Sequence, residues 1–304
     1  MGAARLLRGL VEVVDPNKLT VVVNTGDDDE FYGLHVSPDI DTILYTLGGL
    51  APVRRGWGIA GDTFDARKAL DRLYGPGWFR LGDQDLATHI YRTDRLRSGR
   101  SLSQCTAEMA RSLGVRTTVL PVTDDRLRTF VDTAAGRLAF QEYLVKKRGR
   151  PRVRKVSYSG ARRARPAPGV LEAIEGADAV VVAPSNPFVS IGPILAVPGV
   201  RRVLAAARDR AVAVSPLIAG RAVKGPLASM LRSMGSKPDA AAIARYYAGL
   251  VSTLVVAPGD GIEKTRRSWP RSVEHDILIH QKPAAAALAR FAVERACGGG
   301  AASR

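Results

Sequence analysis

Carboxylates crowd two short stretches near the amino terminus, Asn24-Thr25-Gly26-Asp27-Asp28 and Ser37-Pro38-Asp39-Ile40-Asp41-Thr42. The first directly follows Leu19-Thr20-Val21-Val22-Val23, an apolar run that reads as a buried strand. These acidic groups therefore sit just beyond the carboxyl end of a strand, where open α/β sheets bind ligands. Clustered carboxylates there suit a hard cation such as Mg²⁺, which takes oxygen ligands and shares them with substrate phosphates. Asp27, Asp39 and Asp41 are the candidate ligands. Asp39 and Asp41 are two residues apart, so an extended segment would point both side chains to one face. If a helix starts at Thr42 instead, Asp41 becomes its N-cap and is used there. Acidic loops also serve simply as turns and caps.

A second set of loops has a different chemistry. Ala183-Pro184-Ser185-Asn186-Pro187 and Ser190-Ile191-Gly192 follow the apolar run Ala179–Ala183, and Ser215-Pro216-Leu217-Ile218-Ala219-Gly220 follows Ala211–Ser215. Small residues let backbone approach a phosphate, and unpaired N–H groups can donate to it. Ser185, Asn186, Ser190, Gly192, Ser215 and Gly220 are thus candidate nucleotide contacts, with Lys224 and Arg221 available to phosphate charge. Such loops are also ordinary turns. Between the two sets, Asp83, Asp85, Thr88 and His89 form a polar knot, in which His89 is either a ligand group or a structural hydrogen-bonding residue. Trp57 and Trp78 suit stacking on a flat ring and equally suit a core.

The elements that must hold these loops alternate. Strand-like runs at Leu19–Val23, Thr117–Leu120, Ala179–Ala183, Ala211–Ser215, Thr253–Ala257 and Ile277–His280 are separated by helical patterns at Leu171–Ile174, Val200–Arg208 and Ala240–Leu250. Pro283 to Cys297 reads as a closing amphipathic helix, and Gly2 to Leu10 as an opening one with Leu6, Leu7 and Leu10 on one face. The alternation predicts an α/β fold: a Rossmann-like parallel sheet with helices on both faces, in a single domain over 1–304. The 42–116 region carries mostly helical signals and reads as a helical insertion over the site. Phe140 to Val145 reads as a strand outside the alternation, and the basic stretch 144–168 as a mobile loop.

With 46% hydrophobic residues in 304, the chain can bury a sizeable core. No run approaches the roughly 20 apolar residues of a membrane helix, so no membrane partner is expected. The two cysteines, Cys105 and Cys297, are too few for a disulfide framework, and a reducing cytoplasm fits them. The formal charge of +16 is densest between Lys146 and Arg165. That segment holds only Tyr158 as an aromatic and no nucleic-acid-binding motif. A solvated arm, or a rim that draws in an anionic substrate, accounts for the sign, and nucleic acid is not the expected partner.

The motifs named above, together with Gly56-Trp57-Gly58 and Leu81-Gly82-Asp83-Gln84-Asp85-Leu86-Ala87-Thr88-His89, resemble the 2-phospho-L-lactate transferase family, in the same order and as far as about Gly259. The resemblance implies a Mg²⁺-dependent transferase in coenzyme F-420 biosynthesis. Such an enzyme moves a phosphorylated three-carbon acid from a guanosine diphosphate carrier to the primary alcohol of the deazaflavin Fo (7,8-didemethyl-8-hydroxy-5-deazariboflavin), releasing GMP. It implies Asp41 and Asp39 as catalytic groups, with Asp41 at the Fo alcohol, where a carboxylate can also act as general base. It further implies Fo contacts from Arg80, His89 and Trp57; by its own chemistry Asn186 could read guanine edges instead of phosphate. A possible homodimer goes with such folds. A nucleotide-binding paralogue without turnover is the alternative. Relatives open with a strand and a glycine loop ahead of a helix like Gly2–Leu10, so the resemblance also implies a gap or an exposed edge beside Leu19–Val23.

Overall fold

In a computed structural model, the structure describes residues 2–52, 57–263 and 266–298. The chain runs through α1 (Gly2–Val13), β1 (Thr20–Val23), a hairpin of β2 (Asp29–Phe31) and β3 (Leu34–Val36), and then α2 (Pro38–Leu47), α3 (Asp65–Tyr74), α4 (Asp83–Arg97) and α5 (Leu102–Ser112). It continues through β4 (Thr118–Pro121), β5 (Arg128–Thr133), β6 (Gly136–Ala139), β7 (Val153–Ser159), α6 (Val170–Glu175) and β8 (Val180–Val182). Next come α7 (Gly192–Ala196), α8 (Val200–Ala206), β9 (Ala211–Val214), a small hairpin of β10 (Leu217–Ile218) and β11 (Arg221–Ala222), and α9 (Leu227–Ser233). The last elements are α10 (Ala240–Tyr246), β12 (Thr253–Val256), β13 (Arg271–Glu274) and α11 (Lys282–Gly298).

The fold is α/β. A parallel sheet of order β13-β12-β9-β8 carries the core, and β1 pairs in parallel with β4. All of β9 and Leu254–Val256 of β12 are apolar and buried, as expected of parallel strands covered on both faces. Their side chains alternate between two cores. Ala211, Ala213, Leu254 and Val256 face one cluster with α6, α8 and α10, whereas Val212, Val214 and Val255 face another with Leu6 of α1 and Leu288, Ala289 and Ala292 of α11. The amphipathic α1 also serves a third cluster, where Ala4 and Leu7 meet Ile40 and Leu44 of α2 and Met109 of α5. Among the described residues no single helix is long and apolar enough to cross a membrane.

Four local expectations are corrected. The acidic stretch at 38–42 is not extended: α2 begins at Pro38 behind the N-cap Ser37, which proline at the first helical position favours. Asp39 and Asp41 therefore point about 200° apart on a helix rather than to one face. Ile277–His280 forms no strand; the edge strand is Arg271–Glu274, and the buried Ile277 and Ile279 face the α1/α11 cluster from irregular chain. Glu142–Lys146 is a turn of π-helix rather than a strand, closed by the Tyr143 hydroxyl donating to the Gly149 carbonyl at 3.0 Å. The basic stretch is not simply a loop: β7 takes Val153–Ser159 out of it and pairs antiparallel with β5, alongside β6. Val153 is buried there, while Arg154 and Lys155 are exposed.

Between β1 and β8 lies a cleft of about 740 Å³. Among the described residues β1 pairs only with β4, and β8 only with β9, so the edges that face each other across the cleft have no ladder partner.

Candidate active site

A pocket of about 550 Å³ opens above the carboxyl ends of β1, β8 and β9. Three kinds of wall meet there. Aromatic and apolar side chains, among them Trp57, Trp78, Phe79, Phe140 and Leu144, make one side. The polar turn Pro184–Asn186 with Ser190 makes a second, with Arg5 and Lys224 beside it. Asp27, Asp39, Asp41, Asp85 and His89 make the floor.

Two carboxylates of that floor are poorly compensated. Asp27 is buried, and its Oδ1 has no hydrogen-bond partner. Burial, reinforced by the nearby charge of Asp39, raises its carboxyl well above the usual aspartate range. Asp39 lines both this pocket and the β1/β8 cleft; burial raises its carboxyl, while the charge of the amino terminus and then Asn24 Nδ2, which donates to its Oδ2 at 2.9 Å, oppose that. Asn24 is itself fixed, because its Oδ1 accepts from the Gly26 amide at 2.7 Å. Neighbouring Asp28 turns away from the pocket; its Oδ2 accepts from Ser37 Oγ at 2.7 Å and lies 3.1 Å from His35 Nε2. Asp27 and Asp39 are carboxylates that could hold a divalent cation. Each prefers to lose its charge when buried alone, and an oxygen-seeking cation restores it.

Asp41 behaves differently. Arg92, fully buried on α4, donates through Nη2 to Asp41 Oδ1 and through Nη1 to Oδ2 at 3.3 Å. Burial still raises the Asp41 carboxyl, but Arg92 and then His89 oppose it. Burial also disfavours charge on Arg92, yet Asp41 outweighs that and holds the guanidinium firmly protonated. His89 stands between two carboxylates, with Nδ1 3.7 Å from Asp41 and Nε2 3.3 Å from Asp85, the latter out of line for a hydrogen bond. The Tyr45 hydroxyl donates to Asp85 at 2.8 Å; burial and the charges of Asp41 and Asp85 push its own ionisation far up, so it stays a donor. Asp41, Asp85 and His89 lie close enough to hold a metal ion. The Arg92 guanidinium already supplies positive charge beside Asp41.

Most expected residues converge on this pocket: Asp27, Asp39, Asp41, Trp57, Arg80, His89, Ser185, Asn186, Ser190 and Lys224 all line it. Arg80 lies over the Phe64 ring at 4.7 Å. Asn186 also caps the turn behind it, its Oδ1 accepting from the Phe188 amide at 2.9 Å. Burial and then Arg5 lower the Lys224 ammonium. Three expected contacts stand apart. Ser215 is buried in its own turn, with Oγ accepting from the Leu217 amide at 3.1 Å. Gly220 turns the β10–β11 hairpin with φ near +70°. Gly192 starts α7 where a Cβ would come within 2.0 Å of the Tyr158 hydroxyl, so its small size serves packing. Gly56 lies outside the described residues. Arg5, Arg92 and Tyr45 were not anticipated. For Arg92 a signal existed: Asp85, His89 and Arg92 recur at i, i+4 and i+7, the spacing of one helix face.

Comparison with known proteins identifies the family. Residues 1–292 match the family model described as 2-phospho-L-lactate transferase CofD. A phosphoenolpyruvate transferase of Streptomyces griseus is 41% identical, covering 97% of this chain and 96% of its own length. A 2-phospho-L-lactate transferase of Methanopyrus kandleri is 42% identical over 91% of this chain and 82% of its own. The crystal structure of a UPF0052 family member from Bacillus halodurans shares the fold, with a TM-score of 0.60 at 17% identity over 97% of this chain and 96% of that one. The chain, with its acidic floor and small-residue loops in one pocket, belongs to the 2-phospho-L-lactate transferase family.

Proposed function

We propose that the protein transfers a phosphorylated three-carbon acid, of phosphoenolpyruvate or phospholactate type, from a guanosine diphosphate carrier to the primary alcohol of Fo, releasing GMP. The observation that carries this reading is the meeting of aromatic side chains and a polar, cationic turn with two carboxylates that no guanidinium pairs, in one pocket. A flat acceptor ring suits Trp57, Trp78 and Phe79. An anionic donor suits the Ser185–Asn186 turn, Arg5 and Lys224. Asp27 and Asp39 would hold Mg²⁺, which when bound neutralises charge on a diphosphate and its leaving group. Asp41, held in one orientation by Arg92, accepts a hydrogen bond from the acceptor alcohol and aligns it for attack on the donor phosphorus. The relatives' names support the class of acid transferred and leave both acids as candidates.

The test is direct. Protein, MgCl₂ and Fo are incubated with each guanosine-diphosphate-linked acid, and products are read by mass. The reading requires a mass equal to Fo plus the phosphorylated acid less water, with equimolar GMP and no product in EDTA. Tight binding of Fo and GDP with no product from either donor would leave a binding paralogue in its place. Absence of Fo binding would end the deazaflavin assignment.

A further inference from the structure

Gln141 is a neutral polar side chain buried in the apolar wall of the pocket. It is 7% exposed and lines the pocket together with Phe140, Leu144 and Val145. It stands just ahead of the π-turn Glu142–Lys146 in helical backbone, with φ −64° and ψ −38°, yet its side chain makes no capping hydrogen bond to that turn. Among the described residues its carboxamide has no hydrogen-bond partner. Orphan atoms such as Thr25 Oγ1 and His89 Nε2 are sealed from the surface, but neither carboxamide atom of Gln141 is, so both are reachable where the residue lines the pocket. Burying a carboxamide without partners costs free energy. Packing explains Phe140 and Tyr143, whose rings stack with centroids 6.4 Å apart. It does not explain Gln141, because an apolar side chain would fill the same place at lower cost.

The chemistry of the group defines its complement. A carboxamide offers an acceptor oxygen beside a donor nitrogen. It pairs with a ring edge that carries a donor N–H beside a carbonyl, the edge of a lactam or imide, as glutamine pairs two-fold with base edges in nucleic-acid recognition. The surroundings select a flat ring. Lys146, at the end of the same π-turn, brings its Nζ within 6.0 Å of the Trp78 ring centre, and Trp78 meets Phe79 edge-on at 5.7 Å. Gln141 therefore stands beside the aromatic wall. The other carboxamide on the pocket, that of Asn186, belongs to the polar turn, and its Oδ1 is engaged by the Phe188 amide. We propose that Gln141 is a specificity-determining residue that hydrogen-bonds the lactam edge of the acceptor ring and fixes the ring's rotation in the plane of the aromatic wall. The inference rests on the deazaflavin reading above, since the pyrimidinedione ring of that acceptor carries an N–H between two carbonyls. Rotation of the ring decides where its alcohol-bearing side chain points, so Gln141 acts on alignment as well as on affinity.

The experiment uses Gln141→Met, which keeps the length of the side chain and removes its donors and its acceptor. Calorimetry compares three ligands on the original protein and the variant: Fo, Fo methylated at the pyrimidinedione nitrogen, and GDP. Fo should bind the variant roughly tenfold more weakly through the lost hydrogen bonds. The methylated ring should bind the original protein more weakly than Fo does, and the variant no more weakly than the original, because both changes remove the same contact. GDP affinity should not change. The ligand-free variant should melt at the same temperature or higher, because an unpaired buried carboxamide has given way to an apolar group. Equal Fo affinity in the two proteins would overturn the proposal and leave the transferase reading intact. A loss confined to GDP would assign the carboxamide to the guanine lactam and overturn it as well. A lower melting temperature of the ligand-free variant would make Gln141 a structural residue, with the same consequence. Failure of the original protein to bind Fo would end the deazaflavin reading and this proposal with it, an outcome distinct from equal binding by both proteins.

Discussion

Two groups of acidic residues share one pocket floor, and they solve the problem of buried charge in opposite ways. Asp41 and Asp85 are answered from within the protein, by Arg92 and by the Tyr45 hydroxyl. Asp27 and Asp39 have no guanidinium paired with them; Asn24 bonds to Asp39, which also feels the charge of the amino terminus, and Asp39 repels Asp27. Burial is the first cause raising Asp27, Asp39 and Asp41 alike, so burial does not separate them; the presence or absence of a paired guanidinium does. The first group reads as scaffold that orients a reacting partner. The second reads as a place where charge must arrive with the ligand. An acidic motif is thus informative about metal binding only once its built-in counter-charges have been counted.

The sharpest way to break this contrast is to remove the fixed cation. Arg92→Met should destabilise the fold by about 3–5 kcal/mol, because Asp41 is left buried without its partner. Urea denaturation measures this, and Arg92→Lys should recover part of the loss. A midpoint unchanged by Arg92→Met would show that Asp41 does not depend on the pairing.

The second group should respond in the other direction. Asp27→Asn removes a repelling buried charge, so the metal-free protein should be as stable as the original or more so. Mg²⁺ affinity by calorimetry should fall about 100-fold, the upper end of losses seen when a metal site is disturbed. The pH dependence has a definite sign. A carboxyl raised above 3.8 in the folded state keeps a proton that the unfolded chain releases. Stability in EDTA should therefore decline as pH rises from about 4 through the raised value, and Asp27→Asn should flatten that decline. A rising slope over the same window would place Asp27 among the answered carboxylates.

The loops give the same contrast on a smaller scale. Asn186→Ala should weaken guanosine nucleotide binding by roughly tenfold through a lost hydrogen bond, with about 1 kcal/mol of stability lost through the missing cap. Equal GDP affinity in the two proteins would confine Asn186 to capping. Ser215→Ala should cost only about 0.5–1 kcal/mol of stability and leave nucleotide affinity unchanged, since its hydroxyl is already engaged with Leu217. A nucleotide defect in that variant would return Ser215 to the pocket.

Much of the frame was readable in the amino-acid order. Runs such as Ala211–Val214 and the Leu254–Val256 part of β12 are apolar throughout because the strand is covered on both faces, and that pattern has few other causes. Phe140–Val145 misled because Phe140 and Tyr143 are three apart, so the same letters bury equally well on a helical turn. Ile277 and Ile279 alternate as a strand would, but they only need to reach the core beside α11. In the site, loop chemistry placed Asp27, Asp39, Ser185 and Asn186 correctly in one pocket, because strand ends bring loops together in this class of sheet. Arg92 stayed hidden because an arginine in a polar helix, here followed by Arg95 and Arg97, normally faces water. Only the fold reveals that its face is turned inward.

That inward arginine also governs how two helices find their places. Asp41 of α2 meets Arg92 of α4, and one turn later Tyr45 of α2 meets Asp85, seven residues earlier on α4. The order is reversed, so the helices run antiparallel, and the two contacts act as teeth of a key. Apolar ridges alone would tolerate sliding by one turn, about 5.4 Å, at modest cost. Here the same slip would strand a guanidinium away from its carboxylate at a cost of about 3–5 kcal/mol. The α2–α4 pair is consequently a registration device: it allows one axial alignment, and with it one position for Asp41 above the pocket floor.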